Sequence, residues 1–272
     1  MRVPVVQHRT RRRRALRRRA LWTGGEVLLT AGLLLLLLVV HQLWWTNREA
    51  RQGAAREVRA LEQEWGTSRA GRAAEGAASA PADGGSGASG STGGSGASGG
   101  RMAGGGGPVP VPTAVPGPSR PDWAQAYAVL VIPRLGLRVP VAEGVGRRDV
   151  LNKGYVGHYP GTQQPGQAGN FALAGHRNTH GEPFRYLDRL RPRDLVEVET
   201  RTAVYTYAVD RILPQTSARD DGVIRPVPRS LVEPAYGYRN PGYYVTLTTC
   251  TPEFTSRYRL VVWGTLTAMR PR

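Results

Sequence analysis

The sequence predicts a mainly β domain that follows one membrane-spanning helix and a long disordered linker. Three features of the 272-residue chain lead to this prediction. An apolar stretch lies near the N-terminus, a Gly-, Ser- and Pro-rich region fills the middle, and residues 121–272 contain short runs rich in β-branched and aromatic residues. Many short strands separated by turns indicate a closed barrel or a sandwich.

Residues 1–20 carry nine arginines and no acidic residue, in a chain whose formal net charge is +17. More than half of the positive excess therefore lies in this tail, which argues against reading the whole protein as a nucleic-acid binder. A nucleic-acid-binding tail remains an alternative. The apolar segment that follows favours a basic membrane flank, and no nucleic-acid partner is expected.

Residues 21–45 are dominated by Leu and Val, with Trp22 at one end and Trp44 and Trp45 at the other. This length matches a bilayer core of about 30 Å. The basic tail then marks the cytoplasmic side, so the residues after 45 are expected outside the cytoplasm. A cleaved signal peptide is the alternative. The length of the run and the lack of a small-x-small cleavage site favour an uncleaved signal anchor.

Residues 46–65 are predicted as a short helical stalk, because Ala54, Val58, Leu61 and Trp65 recur at helical spacing. Residues 66–120 predict a disordered linker, first Gly- and Ser-rich and then Pro-rich. Such a tether would let the outer domain search a layer outside the membrane.

Residues 121–272 are long enough to form one core. Short helices are predicted at 148–153 and 183–190. The predicted strands are 128–132, 137–141, 170–176, 195–200, 203–213, 243–250 and 258–266.

Cys250 is the single cysteine of the chain, which excludes an internal disulfide and a multi-cysteine zinc site. It ends the predicted strand YYVTLTTC before the turn TPEF, a position that suits exposure. A free cysteine is more often a small buried residue. Both interpretations, nucleophile and core residue, stay open on the residue alone.

His176 and Arg259 are the residues that would complete a cysteine-based site. A Cys–His pair can generate a thiolate nucleophile, but the spacing between His176 and Cys250 does not show that they meet. Arg259 opens the predicted strand RYRLVVWG and could hold a developing oxyanion. The alternatives are a strand-end histidine and a solvated strand-edge charge.

Other catalytic patterns are missing from the sequence. His158 and His180 lie in loops without convincing acidic partners, so no metal site and no cofactor are expected. No GxSxG, HExxH or P-loop pattern is present.

Three sequence segments resemble the signature strands of the sortases. They are LAGHR at 173–177, TLTTC at 246–250 and RLVVWG at 259–264. VIPRLGLRVPV at 131–141 and the stretch 157–184 are also similar, so the resemblance covers essentially 122–267. The chain is most similar to class E sortases of actinobacteria. The pilin-polymerising class C enzymes, which often carry a second, C-terminal membrane helix, are the nearest rival.

The resemblance implies a closed eight-stranded β-barrel with short helices and a cysteine transpeptidase activity. Cys250 would attack the Thr-Gly bond of an LAXTG- or LPXTG-type sorting signal on a secreted protein. His176 would act as general acid and base, and Arg259 would orient the substrate and stabilise the oxyanion, with Thr249 shaping that site. An amine of a peptidoglycan precursor would resolve the acyl-enzyme.

Substrate contacts are less sharply specified by the resemblance. Tyr236 and Tyr238, in the loop 216–242, are candidate contacts, and two exposed loop tyrosines are the equal alternative. His180 and His158 are further candidates. A catalytically silent, membrane-tethered binding module of the cell envelope is the competing function, although an intact Cys–His–Arg set favours the enzyme.

Overall fold

The computed structural model describes residues 8–78 and 121–272, with an N-terminal helix α1 (His8–Ala78) and a β-barrel. Residues 1–7 of the predicted tail and residues 79–120 of the predicted linker lie outside the described residues. Helix α1 runs through the boundaries predicted at 45 and 65. It continues to residue 78 because residues 66–78 contain five alanines and no proline, and alanine has the highest helix propensity.

The first part of α1 is long and apolar enough to cross a membrane. Within Leu21–Ser68 its most apolar window has a mean hydropathy of 2.2, and none of that window is buried. The described large apolar side chains between Leu21 and Trp45 are at least 48% exposed. In a bilayer, lipid chains would cover this apolar surface.

Eight strands in residues 121–272 close into a barrel, as predicted. Their order around the barrel is β1-β2-β3-β4-β7-β8-β6-β5. The pairs β2–β3 and β4–β7 are parallel, and the other neighbouring pairs are antiparallel. The strands are β1 (Ala126–Ile132), β2 (Leu137–Glu143), β3 (Val156–His158), β4 (Gly169–Ala174), β5 (Leu195–Thr200), β6 (Ala203–Ser217), β7 (Tyr243–Thr251) and β8 (Tyr258–Pro271).

Three local predictions need correction. Strand β3 was not predicted, because its three residues are too few to show an alternating pattern. Strand β4 ends at Ala174, so His176 lies in the following loop and not on the strand. The predicted helices are only 3-10 turns, Leu151–Lys153 and Leu187–Arg189.

The barrel interior is filled by alternate residues of all eight strands. In β8, for example, Leu260 and Val262 belong to this main core. Their neighbours Val261 and Trp263 point to the outer face, because successive strand residues face opposite ways. There they are covered by the β6–β7 loop, which carries Val223 and Tyr238. This loop is therefore part of the folded body.

The predicted stalk residues pack on the outside of the barrel. Val58, Leu61 and Trp65 of α1 cover Val129 of β1, and Ala54 joins the main core. The Arg272 guanidinium also lies over the Trp65 ring, 4.7 Å from its centroid. The spacing of these residues correctly predicted a helix. Their packing shows that this helix docks on the barrel and is not a free stalk.

Candidate active site

Strands β7 and β8 bring Cys250 and Arg259 side by side. The two residues are direct partners in the antiparallel register. Directly opposite residues on antiparallel strands share one face of the sheet. The thiol of Cys250 is free and half-buried at the end of β7, so it is open to a reactant.

The loop that follows β4 brings His176 to the same end of the barrel. Strand β4 runs parallel to β7 with Ala174 opposite Thr248, so the chain reaches positions 176 and 250 together. The Thr249 hydroxyl donates to the Gly175 carbonyl oxygen at 2.8 Å and ties the two chains at this point. Thr249 itself is buried, so its hydroxyl acts within the protein.

A hydrogen bond fixes the imidazole of His176. The distance from its Nε2 to Oδ1 of Asn152 is 2.9 Å. Because an amide oxygen only accepts hydrogen bonds, Nε2 carries the proton in the neutral ring and Nδ1 is left as the acceptor. Asn152 thereby sets the tautomer of His176, and nothing in the sequence pointed to it.

Burial, and after it the positive charges of His180 and Arg147, together lower the pKa of His176 to about 4. The His180 ring is stacked on that of His176, with 5.4 Å between centroids. Burial lowers the pKa of His180 as well. The site therefore favours the neutral imidazole, which suits a base that must accept a proton.

Arg177 is a second cation at the site and was not singled out in the sequence, although it ends the LAGHR segment. Its side chain is 6% exposed and pairs with Asp188 at 3.1 Å. Its Nη1 donates to the Cys250 carbonyl oxygen at 3.3 Å and to Thr251 Oγ1 at 3.1 Å. Arg177 thus holds the end of β7 against the loop that carries His176.

Arg259 is engaged with its own loop. Its Nη1 donates to the carbonyl oxygens of Ser256 and Tyr258, at 2.9 and 3.0 Å. Arg259 does not line the cleft that Cys250 and His176 share. Both of these hydrogen bonds use Nη1.

Cys250 and His176 line one cleft of about 800 Å³. Its walls come from the loops after β4 and β7, from the segment 147–152 and from helix α1. Among the described residues no group of three or more His, Cys, Asp or Glu side chains could hold a metal ion. The lining residues are Thr46, Asn47, Arg147, Asn152, His176, Arg177, Asn178, Thr179, His180, Glu182, Cys250, Phe254, Thr255 and Ser256.

His180 is the one predicted substrate contact that lines this cleft, and His158 is elsewhere. The His158 ring is fully buried between β2 and β4. Its Nδ1 lies 2.6 Å from Oε2 of Glu143 and 2.9 Å from the Tyr127 hydroxyl, and its Nε2 lies 2.9 Å from Oγ1 of Thr162. The expected substrate contact at His158 is therefore wrong, because no face of the ring is accessible.

Tyr236 and Tyr238 also lie away from the cleft lining. Tyr238 is buried, stacks on Tyr244 with 4.0 Å between centroids, and donates its hydroxyl to Asp210. The prediction that Tyr238 contacts substrate is corrected, because the ring anchors the β6–β7 loop to the barrel. Tyr236 is 38% exposed and does not line the cleft.

A match to a protein-family model shows the family to which the chain belongs. The model described as Sortase domain matches residues 130–267, which is half of the chain and nearly the whole barrel. The chain belongs to the sortase family. Sortases are cysteine transpeptidases, so the Cys–His cleft lies in a fold that is known to carry this chemistry.

The individual relatives support a class E sortase. Sortase SrtE1 of Streptomyces coelicolor is 50% identical over 153 residues, which cover 54% of this chain and 42% of that protein. The match thus spans less than half the length of this relative. Sortase SrtE2 of the same organism is 31% identical over 231 residues, covering 83% of this chain and 74% of SrtE2.

Solved sortase structures share the barrel. The crystal structure of Sortase E1 from Streptomyces coelicolor with a tripeptide in the active site is 49% identical, with a TM-score of 0.52. That match covers 55% of this chain and 92% of the solved one. The SrtA sortase from Actinomyces oris is 33% identical with a TM-score of 0.50, covering 57% and 86% respectively. The resemblance read from the sequence motifs is confirmed.

Proposed function

We propose that this sortase is a membrane-anchored cysteine transpeptidase in which Cys250 is the nucleophile and His176 transfers the protons. The observation that carries the proposal is the shared cleft: a half-exposed free thiol and a hydrogen-bonded imidazole line it together. A thiol nucleophile needs an adjacent base, and a covalent intermediate divides one difficult step into two easier ones.

The proposed reaction exchanges one amide bond for another. The neutral His176 imidazole first takes the proton of the Cys250 thiol. The thiolate attacks the carbonyl carbon of the Thr-Gly bond, and the His176 imidazolium gives this proton to the leaving amine as the C–N bond breaks. A thioester to Cys250 remains. An incoming amine attacks that thioester, His176 accepts the amine proton, and the thiolate leaves and takes this proton back from His176. The products are a new amide and the starting form of the enzyme.

Arg259 is proposed to stabilise the tetrahedral oxyanion. Its support is the register, which sets it directly opposite Cys250. Removing one such donor typically costs about 10²–10³ in kcat. Arg177 is proposed to position the Cys250 backbone, since it donates to the Cys250 carbonyl oxygen.

The proposed substrates are secreted proteins with LAXTG- or LPXTG-type sorting signals, and the proposed acceptor is an amine of a peptidoglycan precursor. The similarity to class E sortases supports both assignments. The proposed organisation is a basic cytoplasmic tail at 1–20, a signal anchor at 21–45, a linker ending near 120 and an extracellular catalytic domain at 121–272. The exposed apolar surface of α1 supports the anchor, and the nine preceding arginines support the orientation.

The test uses the full chain in detergent micelles, fluorogenic LAXTG and LPXTG peptides, and a glycine-type amine. Cleavage and the amine-ligated product are followed by mass spectrometry, with Cys250→Ala beside the wild type. We expect ligation that disappears in the variant. A folded wild type that forms neither product nor Cys250 acyl adduct would favour the silent binding module.

The role of Arg259 has its own matched control. Arg257 is also an arginine, is exposed, and lies just before β8. Arg259→Ala should lower kcat strongly, whereas Arg257→Ala should leave it near the wild-type value. Equal effects of the two substitutions would contradict a specific oxyanion role.

A further inference from the structure

Helix α1 contacts the loop that follows His176. Nδ2 of Asn47 donates to Oε1 of Glu182 at 2.9 Å, and the Gly181 amide donates to Oδ1 of Asn47 at 3.3 Å. One turn further along the helix, Arg51 pairs with Oε2 of Glu182 at 2.9 Å and donates to the Gly181 carbonyl oxygen at 3.1 Å. Four polar contacts thus join one face of α1 to this loop.

The loop needs this support because its backbone is strained. His180, Gly181 and Glu182 have φ angles of 52°, 84° and 53°, three consecutive left-handed residues of which two carry a side chain. Such a conformation persists only when its surroundings hold it. The Glu182 side chain, 5% exposed, is the point at which α1 holds it. The same loop places the His180 ring on that of His176.

Helix α1 also packs against the turn that carries Asn152. Directly after that turn, Gly154 lies against the helix. A Cβ atom added at Gly154 would lie 2.9 Å from the Ala50 carbonyl oxygen and 3.3 Å from its Cβ. The helix therefore touches both segments that fix His176: the loop that carries the stacked His180 and the turn that carries its hydrogen-bond partner.

We propose that Asn47 and Arg51 are positioning residues for the transpeptidase reaction, and that α1 is one wall of the catalytic cleft. Thr46 and Asn47 line the cleft themselves, and Asn47 and Arg51 act on His176 through Glu182. This inference rests on the proposed function, in which His176 transfers protons. It makes the membrane anchor and the catalytic site parts of one rigid arrangement.

The position of α1 in the cleft wall sets the distance between the cleft and the membrane. Asn47 follows Trp45, the end of the apolar segment, by two residues, which is about 3 Å along a helix axis. If residues 21–45 span the bilayer, the cleft lies at the membrane–water interface. The docked helix thus favours a domain held at the membrane over one that searches a layer outside it.

The test compares full-length variants in micelles by steady-state kinetics. Asn47→Ala and Arg51→Ala should each lower kcat for ligation by about tenfold with little change in KM, because misplaced catalytic groups slow the chemical step. Arg51→Lys keeps the charge and should recover part of the loss. The matched control is Arg59→Ala, since Arg59 lies on the same helix and donates to the carbonyl oxygen of Ala55.

Hydrogen exchange provides a readout that does not depend on turnover. Amides of residues 178–184 should exchange faster in Asn47→Ala than in the wild type, while melting temperatures stay close. Wild-type kinetics together with wild-type exchange in both variants would overturn the inference. Faster exchange with unchanged kcat would also overturn it, since docking would then be structural only. An inactive wild type with normal exchange would instead refute the proposed function.

Discussion

Asn152→Asp puts a carboxylate where an amide oxygen now accepts the His176 proton, 2.9 Å from Nε2. The substitution preserves the shape of the side chain and adds one negative charge. In the wild type, burial first and the charges of His180 and Arg147 second lower the pKa of His176 to about 4. An adjacent opposite charge favours the imidazolium and should raise that pKa.

The size of the effect follows from the geometry. A carboxylate at hydrogen-bonding distance shifts a pKa by about 1–3 units. A pKa of about 4 leaves about one imidazole in a thousand protonated at pH 7, whereas the ordinary value of 6.5 leaves about one in four. The variant should therefore raise the imidazolium population at pH 7 by at least about tenfold.

The assay is NMR titration of the His176 ring, together with the pH profile of kcat/KM, which reports the pKa values of the free enzyme. We expect the His176 midpoint and the acid limb of the profile to move upward together in the variant. Asn240→Asp is the control, because it adds the same charge to an exposed loop residue that does not line the cleft.

The reasoning would be refuted by a folded Asn152→Asp protein whose His176 titrates as in the wild type. The side chain at position 152 would then not be the partner that controls the protonation of the His176 ring. An equal shift in Asn240→Asp would also refute it, because the effect would be one of net charge and not of local contact.

Two further predictions concern the β6–β7 loop and its anchors. Trp263→Ala should lower the free energy of unfolding by about 3–5 kcal/mol, because the ring is fully buried and its Nε1 donates to the Val223 carbonyl oxygen at 3.1 Å. Chemical denaturation measures this, and a loss of less than about 1 kcal/mol, close to the effect of a surface substitution, would contradict it. Tyr238→Phe should cost about 1 kcal/mol through the lost bond to Asp210 while leaving kcat/KM unchanged. A large rise in KM in that variant would restore Tyr238 as a substrate contact.

Much of the barrel follows from local sequence patterns. Short apolar or alternating runs, rich in β-branched and aromatic residues, predicted seven of the eight strands of residues 121–272, because these features are local to each strand. The helical spacing of Val58, Leu61 and Trp65 predicted a buried helix face in the same way. Strand β3 was not predicted, because three residues are too few to show a repeating pattern.

The candidate site depended on information that no single segment contains. The motif cysteine and histidine were identified from the sequence, but their meeting depends on the parallel register of β4 with β7. Asn152 was not identified as a site residue, because an asparagine in a short helical turn has no sequence feature that shows a histidine ring 2.9 Å away. Exposure of Tyr238 was one of the two sequence-based alternatives. Its burial was not visible in the sequence, because Tyr238 packs against the outer face of β8, which is distant along the chain.

The sequence by itself therefore determined the apolar helix, seven of the eight described strands and Cys250 as the candidate nucleophile, because these depend on residue type and on neighbours along the chain. Only the tertiary structure decided which side chains fix His176, which tyrosine is buried, and that helix α1 docks beside the cleft through Asn47 and Arg51. These depend on contacts between residues from different elements, 24 positions apart for Asn152 and His176 and 135 for Asn47 and Glu182. The free energy of such contacts appears only when the barrel closes.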